Sequence, residues 1–301
     1  MRLVHYVQEG ATRVGIVDKT RIVDLVEFTK EPDMSAFHGI TRIDEIRSQG
    51  LLEPLQKAAP RIAAMSGGVA IDSARLKSPI LNPEKILLVA RNYLSHNKEQ
   101  DAKPPVEPYF FTKFRNALIG PDEPILIPKI STKADWEAEL VVVIGRVGKN
   151  IARGNAMGHV AGYAVANDVS FRDLQFSTHS DKAPVTLGNN WVKGKGLDSS
   201  FPLGPWLVTK DEIPNPQDLD ISLRVNGEIK QRSRTSDMIF AIDHLIEYVS
   251  AGMTLKTGDI ISTGTPEGVA AFTGEPFLKD GDIVEATIDR IGTLRNPVRA
   301  E

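Results

Sequence analysis

The chain has 301 residues, 41% hydrophobic and 25% charged, with a formal net charge of -3, an ordinary balance for a protein large enough to bury a substantial core. Its basic residues are dispersed and form no stripe, which excludes nucleic acid as the expected partner. Cysteine is absent, which excludes disulfides, thiolate metal sites and a cysteine nucleophile and suits a reducing cytoplasm.

Arg2 to Leu25 predicts short strands with Glu9-Gly10 as a turn, then a mixed, mainly helical stretch to about Leu76. The opening "MRLVHYVQEG" alternates polar and apolar residues, and no apolar segment approaches ~20 residues. Neither signal peptide nor membrane span is therefore read, and a cytosolic protein is expected. Residues 1–76 are expected to form a small N-terminal domain. "KSPILNPEK" (77–85), whose two prolines interrupt any helix, is the linker candidate. Residues 86–301 then form the main domain. It is rich in β-branched runs and glycine turns, so the fold class predicted is mainly β with few helices (α+β).

After the apolar run "KILLVA" comes "ARNYLSHNKEQ". His96 and Glu99 stand three apart, so in a helical turn the carboxylate can orient the imidazole as a base. A surface pair has the same spacing. In "ADWEAELVVVIG" (134–145) the alternation of an extended chain puts Asp135, Glu137 and Glu139 on one face and Trp136, Ala138 and Leu140 on the other. With the β-branched run Val141 to Ile144, this predicts one continuous strand. Like charges along one face need a cation to compensate them if buried; an edge strand with a wet acidic face fits the stretch as well. "AVANDVSFRDLQ" places Asp168 at the end of a second strand, where it could join Glu137 and Glu139 or cap a turn. An all-oxygen set favours Mg²⁺, Mn²⁺ or Ca²⁺ over zinc.

The loop from Phe176 to Asn190 carries His179, a candidate substrate contact or a solvated loop histidine. "GNNWVKGKG" has the wrong glycine spacing for a phosphate loop, and no nucleotide site is expected. The clear helix lies at Asp237 to Ala251. "TLKTGDI" (254–260) is echoed by "FLKDGDI" (277–283), read as shared turn chemistry.

Taken together, "NYLSH" with Glu99, "DWEAELVVVIG", "NDVSFRDLQ", "GKGLDSSFPLGPWLV", "VNGEIKQ", "TGDIISTGTPEGV" and "GDIVEATIDRIGTLRNPV" resemble, in order, the motifs of the fumarylacetoacetate hydrolase family over roughly Leu81 to Val298. Ala90 departs from the glycine more usual before Asn-Tyr. The resemblance implies a mixed β-roll and a homodimer. It makes Glu137, Glu139 and Asp168 the ligands of Mg²⁺ or Mn²⁺, with Asp135 behind them, and His96 with Glu99 the water-activating pair. Lys195 is implied as a catalytic group, and Thr265 and Gln175 as substrate contacts. The activity implied is hydrolysis of a carbon–carbon bond in an acylpyruvate or related diketo acid, the metal and Lys195 stabilising enolate charge. The alternatives are decarboxylation of an oxaloacetate-like keto acid or isomerisation of an unsaturated hydroxy-diacid on the same site. From a different class, a non-catalytic metal-stabilised binding module is disfavoured by the retention of His96, Glu99 and all three carboxylates.

Overall fold

The computed structural model describes residues 1–29, 32–65, 67–176 and 189–301. At its centre runs the strand Ala138–Ile144, every residue of which is buried. A strand covered on both faces reads as an unbroken apolar run, as "LVVVI" does. Leu140, Val142 and Ile144 face one apolar cluster, while Val141 and Val143 face another. The strand pairs antiparallel with Val160–Asn167 on one side and with Ile260–Ser262 on the other. Val160–Asn167 alternates in the same way, with Tyr163 and Val165 in the first cluster and Ala161, Ala164 and Ala166 in the second.

Among the described residues this sheet has twelve strands. It is mixed, since Ile260–Ser262 runs parallel to Ile86–Ala90. The strands Arg2–Gln8, Ala11–Asp18 and Arg21–Asp24 extend it, because Arg2–Gln8 pairs with Phe201–Thr209. A second sheet of five strands, built on Asp220–Val225 and Ile283–Ile288, buries Ile221, Leu223, Val284 and Ile288 in the first cluster. Short helices of residues 43–64 bury Ile43, Ile46, Leu55 and Ile62 in the second. The large sheet is thus the middle layer, and its central strands cannot shift without disturbing two cores.

Three expectations need adjustment. Residues 134–145 do not form one continuous strand: Ala134–Asp135 and Ala138–Ile144 are separate pieces. The ladder breaks because side chains take the intervening amides, Asn167 Oδ1 accepting from Glu137 N–H at 2.8 Å and Gln231 Oε1 from Ala138 N–H at 2.9 Å. The helix expected from Asp237 begins at Ile242 and ends at Ser250. The buried Asn92 side chain, bonded to Phe240 N–H and the Phe240 and Thr263 carbonyls, holds the chain before it out of the helix. Among the described residues the stretch from Leu25 is helical only as short turns of six residues or fewer, the last of which, Ile71–Ser73, lies between the strands Val69–Ala70 and Arg75–Lys77. The echoed turns do share their chemistry. Gly258 and Gly281 both take positive φ, and Asp259 and Asp282 accept from Lys256 N–H and Lys279 N–H, each three residues back.

His5 ties the first strand to the start of the helix at Ile43 and to the segment at Ser78. Its ring is fully buried; Nδ1 donates to the Ser78 carbonyl at 3.1 Å, and Nε2 accepts from Ile43 N–H at 3.2 Å. Burial lowers its pKa from 6.5 to about 4, against the opposing pull of the Ser78 carbonyl. The unfolded chain binds the proton more readily, so stability present above pH 6.5 drains as pH falls through about 4. At about 1.4 kcal/mol per pKa unit the loss is on the order of 3 kcal/mol. His5→Gln, which keeps a donor and an acceptor without titrating, should flatten this part of the pH dependence in urea unfolding. An unchanged slope in that variant rules His5 out as its source.

Candidate metal centre and active site

Glu137, Glu139 and Asp168 are brought together from the two adjacent central strands, each offering an oxygen within 4.8 Å of the others, and all three are buried. Backbone bonds fix this meeting: Asp168 N–H donates to the Glu137 carbonyl at 2.8 Å, and Asn167 holds Glu137 N–H. Glu139 Oε2 accepts from Ser262 Oγ and from Gly264 N–H on the neighbouring strand end. Asp135 is not part of the group. Its carboxylate accepts from the N–H groups of Trp136, Ala270 and Ala271 and from Arg172 Nε.

The buried cations that face these acids are Lys195, Lys113 and Arg172. Lys195 Nζ lies 2.7 Å from Glu137 Oε2 and 2.7 Å from Asp168 Oδ2. Arg172 bridges Asp135 and Glu137 and donates to Gln175 Oε1 at 3.1 Å. Lys113 Nζ lies 3.0 Å from Asp168 Oδ1. An ammonium has three N–H groups, and those of Lys113 go to Val169 O, Ser200 O and Ser200 Oγ. Asp168 Oδ1 is therefore left buried without a hydrogen bond.

Charge is distributed unevenly over the three acids. Burial raises the Glu137 pKa, but Lys195 and Arg172 overcome it and hold that carboxyl well below its usual range. Glu139 is pushed well above 4.5 by burial, then by the charges of Asp168 and Glu137. Burial lowers Lys113 to about 8 against the attraction of Asp168. A buried carboxyl that cannot easily ionise, grouped with two further carboxylates in an all-oxygen set, is what a hard divalent cation would complete. The residues fit Mg²⁺ or Mn²⁺ in donor chemistry, with Glu137, Glu139 and Asp168 as holders.

The second group stands on the short helix Leu94–Glu99. His96 Nδ1 lies 2.9 Å from Glu99 Oε1, and Glu99 Oε2 accepts from Gly268 N–H at 2.8 Å. Gln100 Nε2 lies 2.7 Å from His96 Nε2. His96, Glu137, Glu139 and Lys195 all line one cavity of about 400 Å³. Thr265 and Gln175 line it too, but Thr265 Oγ1 already donates to the Ala138 carbonyl and accepts from Gln231. Lys195 sits deeper than a substrate contact would suggest, its exposure only 2%. Gly194 and Gly196 of "GNNWVKGKG" serve packing: a Cβ on Gly194 would meet Gln175 Cβ at 2.4 Å, and one on Gly196 would meet the Val192 carbonyl oxygen at 2.8 Å. His179 lies outside the described residues.

Lys113, Arg172 and Gln100 carry no role in the sequence reading. Arg172 stands three residues before Gln175, and Gln100 four after His96, so helical spacing could have found both. Lys113, in "FFTKF", has no local signal.

A mixed sheet layered on a smaller one, with a carboxylate-walled cavity at the broken central strand, places the chain among enzymes of the fumarylacetoacetate hydrolase fold. It belongs to the fumarylacetoacetate hydrolase family: the model of the fumarylacetoacetate hydrolase C-terminal region matches residues 85–299. The mitochondrial oxaloacetate tautomerase of Xenopus laevis is 41% identical over 99% of this chain and 90% of its own length. Among solved structures, maleylpyruvate hydrolase from Sphingobium sp. SYK-6, in complex with manganese(II) and pyruvate, is 28% identical, with a TM-score of 0.76 over 100% of this chain and 99% of its own. The 2-hydroxyhepta-2,4-diene-1,7-dioate isomerase from Mycobacterium marinum is 30% identical, with a TM-score of 0.72 over the same shares.

The raised Glu139 carboxyl has a measurable consequence. Its folded pKa exceeds the 4.5 of the free group, so the native state keeps a proton that the unfolded chain has released, and stability of the metal-free protein falls as pH rises above 4.5. A bound cation takes the place of that proton. Stabilisation by Mg²⁺ or Mn²⁺ should therefore grow with pH, reaching about 2.7 kcal/mol at a hundredfold excess over Kd. Thermal unfolding with chelator and with metal across pH measures it. In Glu139→Gln most of the increment should vanish; an increment equal to wild type would remove Glu139 from the ligand set.

Proposed function

We propose that the protein is a divalent-metal-dependent enzyme acting on a small keto diacid, and that its reaction is keto–enol interconversion of oxaloacetate. The observation that carries this reading is the 41% identity, over 99% of the chain, to a protein named an oxaloacetate tautomerase. The alternative weighed in the sequence against diketone hydrolysis, decarboxylation of an oxaloacetate-like acid, shares this substrate class but not this reaction, and its substrate class takes precedence here.

The site supports the chemistry. A cation held by Glu137, Glu139 and Asp168 would supply Lewis acidity to the keto-acid oxygens. Lys195 reinforces that polarisation, its ammonium kept charged by Asp168 and Glu137 although burial opposes it. His96 is positioned to carry the proton between the substrate's methylene carbon and its oxygen, because Glu99 fixes the ring from Nδ1 and the transferring nitrogen is then Nε2, which the Gln100 amide meets in the absence of substrate. Arg91 lines the same cavity. Its Nε donates to Asn97 Oδ1 and its Nη2 to the Lys103 carbonyl, so the guanidinium is braced where a second carboxylate of a diacid could meet it.

Hydrolysis of an acylpyruvate is the second reading, supported by the His96–Glu99 pair and by the likeness to maleylpyruvate hydrolase. The two are separated by assaying enol loss through its ultraviolet absorbance, pyruvate release from oxaloacetate, and acylpyruvate cleavage, each with Mg²⁺. Tautomer interconversion should dominate, and His96→Ala should slow it by ~10²-fold or more while retaining metal binding. If wild type cleaves acylpyruvate and leaves the oxaloacetate tautomers at their uncatalysed rate, the hydrolase reading replaces this one.

A further inference from the structure

His96, Glu99 and Gln100 occupy positions i, i+3 and i+4 of one helical turn, so both ring nitrogens find partners on the same helix face. Glu99 Oε1 stands 2.9 Å from Nδ1, and Gln100 Nε2 stands 2.7 Å from Nε2. A carboxylate accepts, so Nδ1 carries the hydrogen; an amide nitrogen donates, so Nε2 presents its lone pair to Gln100. A neutral imidazole has one such lone pair, in the plane of the ring. Gln100 therefore sits on the position from which the ring would take a proton from water. Gln100 also lines the cavity that holds Glu139 and Lys195, so a bound molecule can reach and displace the amide.

We propose that Gln100 is the residue that selects proton transfer within a bound keto acid over hydrolysis. By donating to His96 Nε2 it excludes the water that a carbon–carbon hydrolase must activate there, and it locks the ring in the Nδ1–H tautomer. The substrate reaches the base by taking the place of the amide; water alone does not. The reaction that is kept rests on the tautomerase reading above, whereas the reaction suppressed follows from the cap alone.

With the cap removed, water on Nε2 can act on an acylpyruvate. The water oxygen bonds to the acyl carbon as its proton goes to His96, the carbon–carbon bond breaks, and its electron pair enters the enolate of pyruvate. Protonation of that enolate gives pyruvate and a carboxylic acid, so the sum is addition of one water. No oxidant or further reactant is needed.

Two measurements test the cap on the full-length chain with Mg²⁺. The first is the nitrogen-15 spectrum of wild type at neutral pH, with His96 assigned by its loss in His96→Ala. The Nδ1–H tautomer is expected; an Nε2–H tautomer or an imidazolium overturns the proposal, whatever the variants do. The second compares acylpyruvate cleavage in wild type, Gln100→Ala and Gln100→Met, the last keeping length without a donor. Cleavage should rise by about tenfold or more in both, with oxygen-18 from labelled water entering the carboxylic acid, while oxaloacetate interconversion shows no such rise. Unchanged cleavage in both variants, or an equal rise in both reactions, overturns it. Failure of wild type to interconvert the oxaloacetate tautomers would instead remove the tautomerase reading, leaving the tautomer and cleavage results to decide the cap.

Discussion

Three carboxylates buried within 4.8 Å of one another are the constraint on which the rest of the structure depends. At an effective dielectric near 20, two like charges at that distance repel by roughly 3 kcal/mol or more. The surrounding protein answers with Lys195 between Glu137 and Asp168, Lys113 also against Asp168, and Arg172 behind Glu137. It does not answer completely. Glu139 meets no cation directly among its hydrogen bonds, only Ser262 and a backbone amide, and Asp168 keeps an unbonded oxygen. The uncompensated acid, Glu139, lines the cavity, where a divalent ion fits and a further lysine would not: an ammonium must aim each N–H, whereas a cation needs only oxygens at its radius.

Holding such a group in place requires a backbone that cannot relax away from the repulsion. The strand Ala138–Ile144 supplies it, being packed on both faces and paired on both edges. Its outward edge toward the cavity is where regular pairing stops, at Trp136 and Glu137. There Asn167 and Gln231 replace the ladder with side-chain acceptors. Gln231 continues outward to Thr265 and the Pro266 carbonyl, so the second sheet, which carries Gln231, is coupled to the loop that walls the site. The same layering brings in the N-terminal strands: Leu3, Val14, Ile16 and Val23 complete the core under Val141 and Val143, on the face opposite Leu140 and Val142.

What the sequence showed depended on how local each signal was. Glu137 and Glu139 were legible because strand alternation puts i and i+2 on one face, and Asp168 because it comes directly after an apolar strand. His96 and Glu99 were legible from helical spacing. The continuity of residues 134–145 was misread because β-propensity and alternation carry no information about Asn167 and Gln231, which come from 30 and 93 residues away to take the amides. Lys113 was illegible for the same reason: a lysine in "FFTKF" reads as an exposed end, and its burial against Asp168 and Ser200 exists only in the assembled sheet. The helix start at Ile242 was missed because apolar periodicity extends back through Met238 and Phe240, while Asn92, distant in sequence, holds that stretch extended.

The triad cannot by itself distinguish among the reactions named for the family's members. Tautomerisation, carbon–carbon hydrolysis and double-bond isomerisation of keto acids can all proceed through charge on an enolate oxygen, and a cation with a buried lysine stabilises that charge for each. Identity to relatives whose names differ in reaction but share this stabilisation is therefore expected, and selection must come from residues outside the triad. What differs between the reactions is where the proton goes and whether water enters. Those questions are settled at the base, by what stands on its free nitrogen, and at the cavity wall, by which substrate end is held. In this chain the first position is taken by Gln100 and the second is bordered by Arg91, braced through Asn97 and the Lys103 carbonyl. Both belong to the segment that begins at the left-handed Arg91, φ 59°, a conformation uncommon for a residue with a Cβ. The Asn97 amide, donating to the Arg91 and Tyr93 carbonyls, holds it there, so one turn of backbone positions both Gln100 against His96 and Arg91 at the cavity wall.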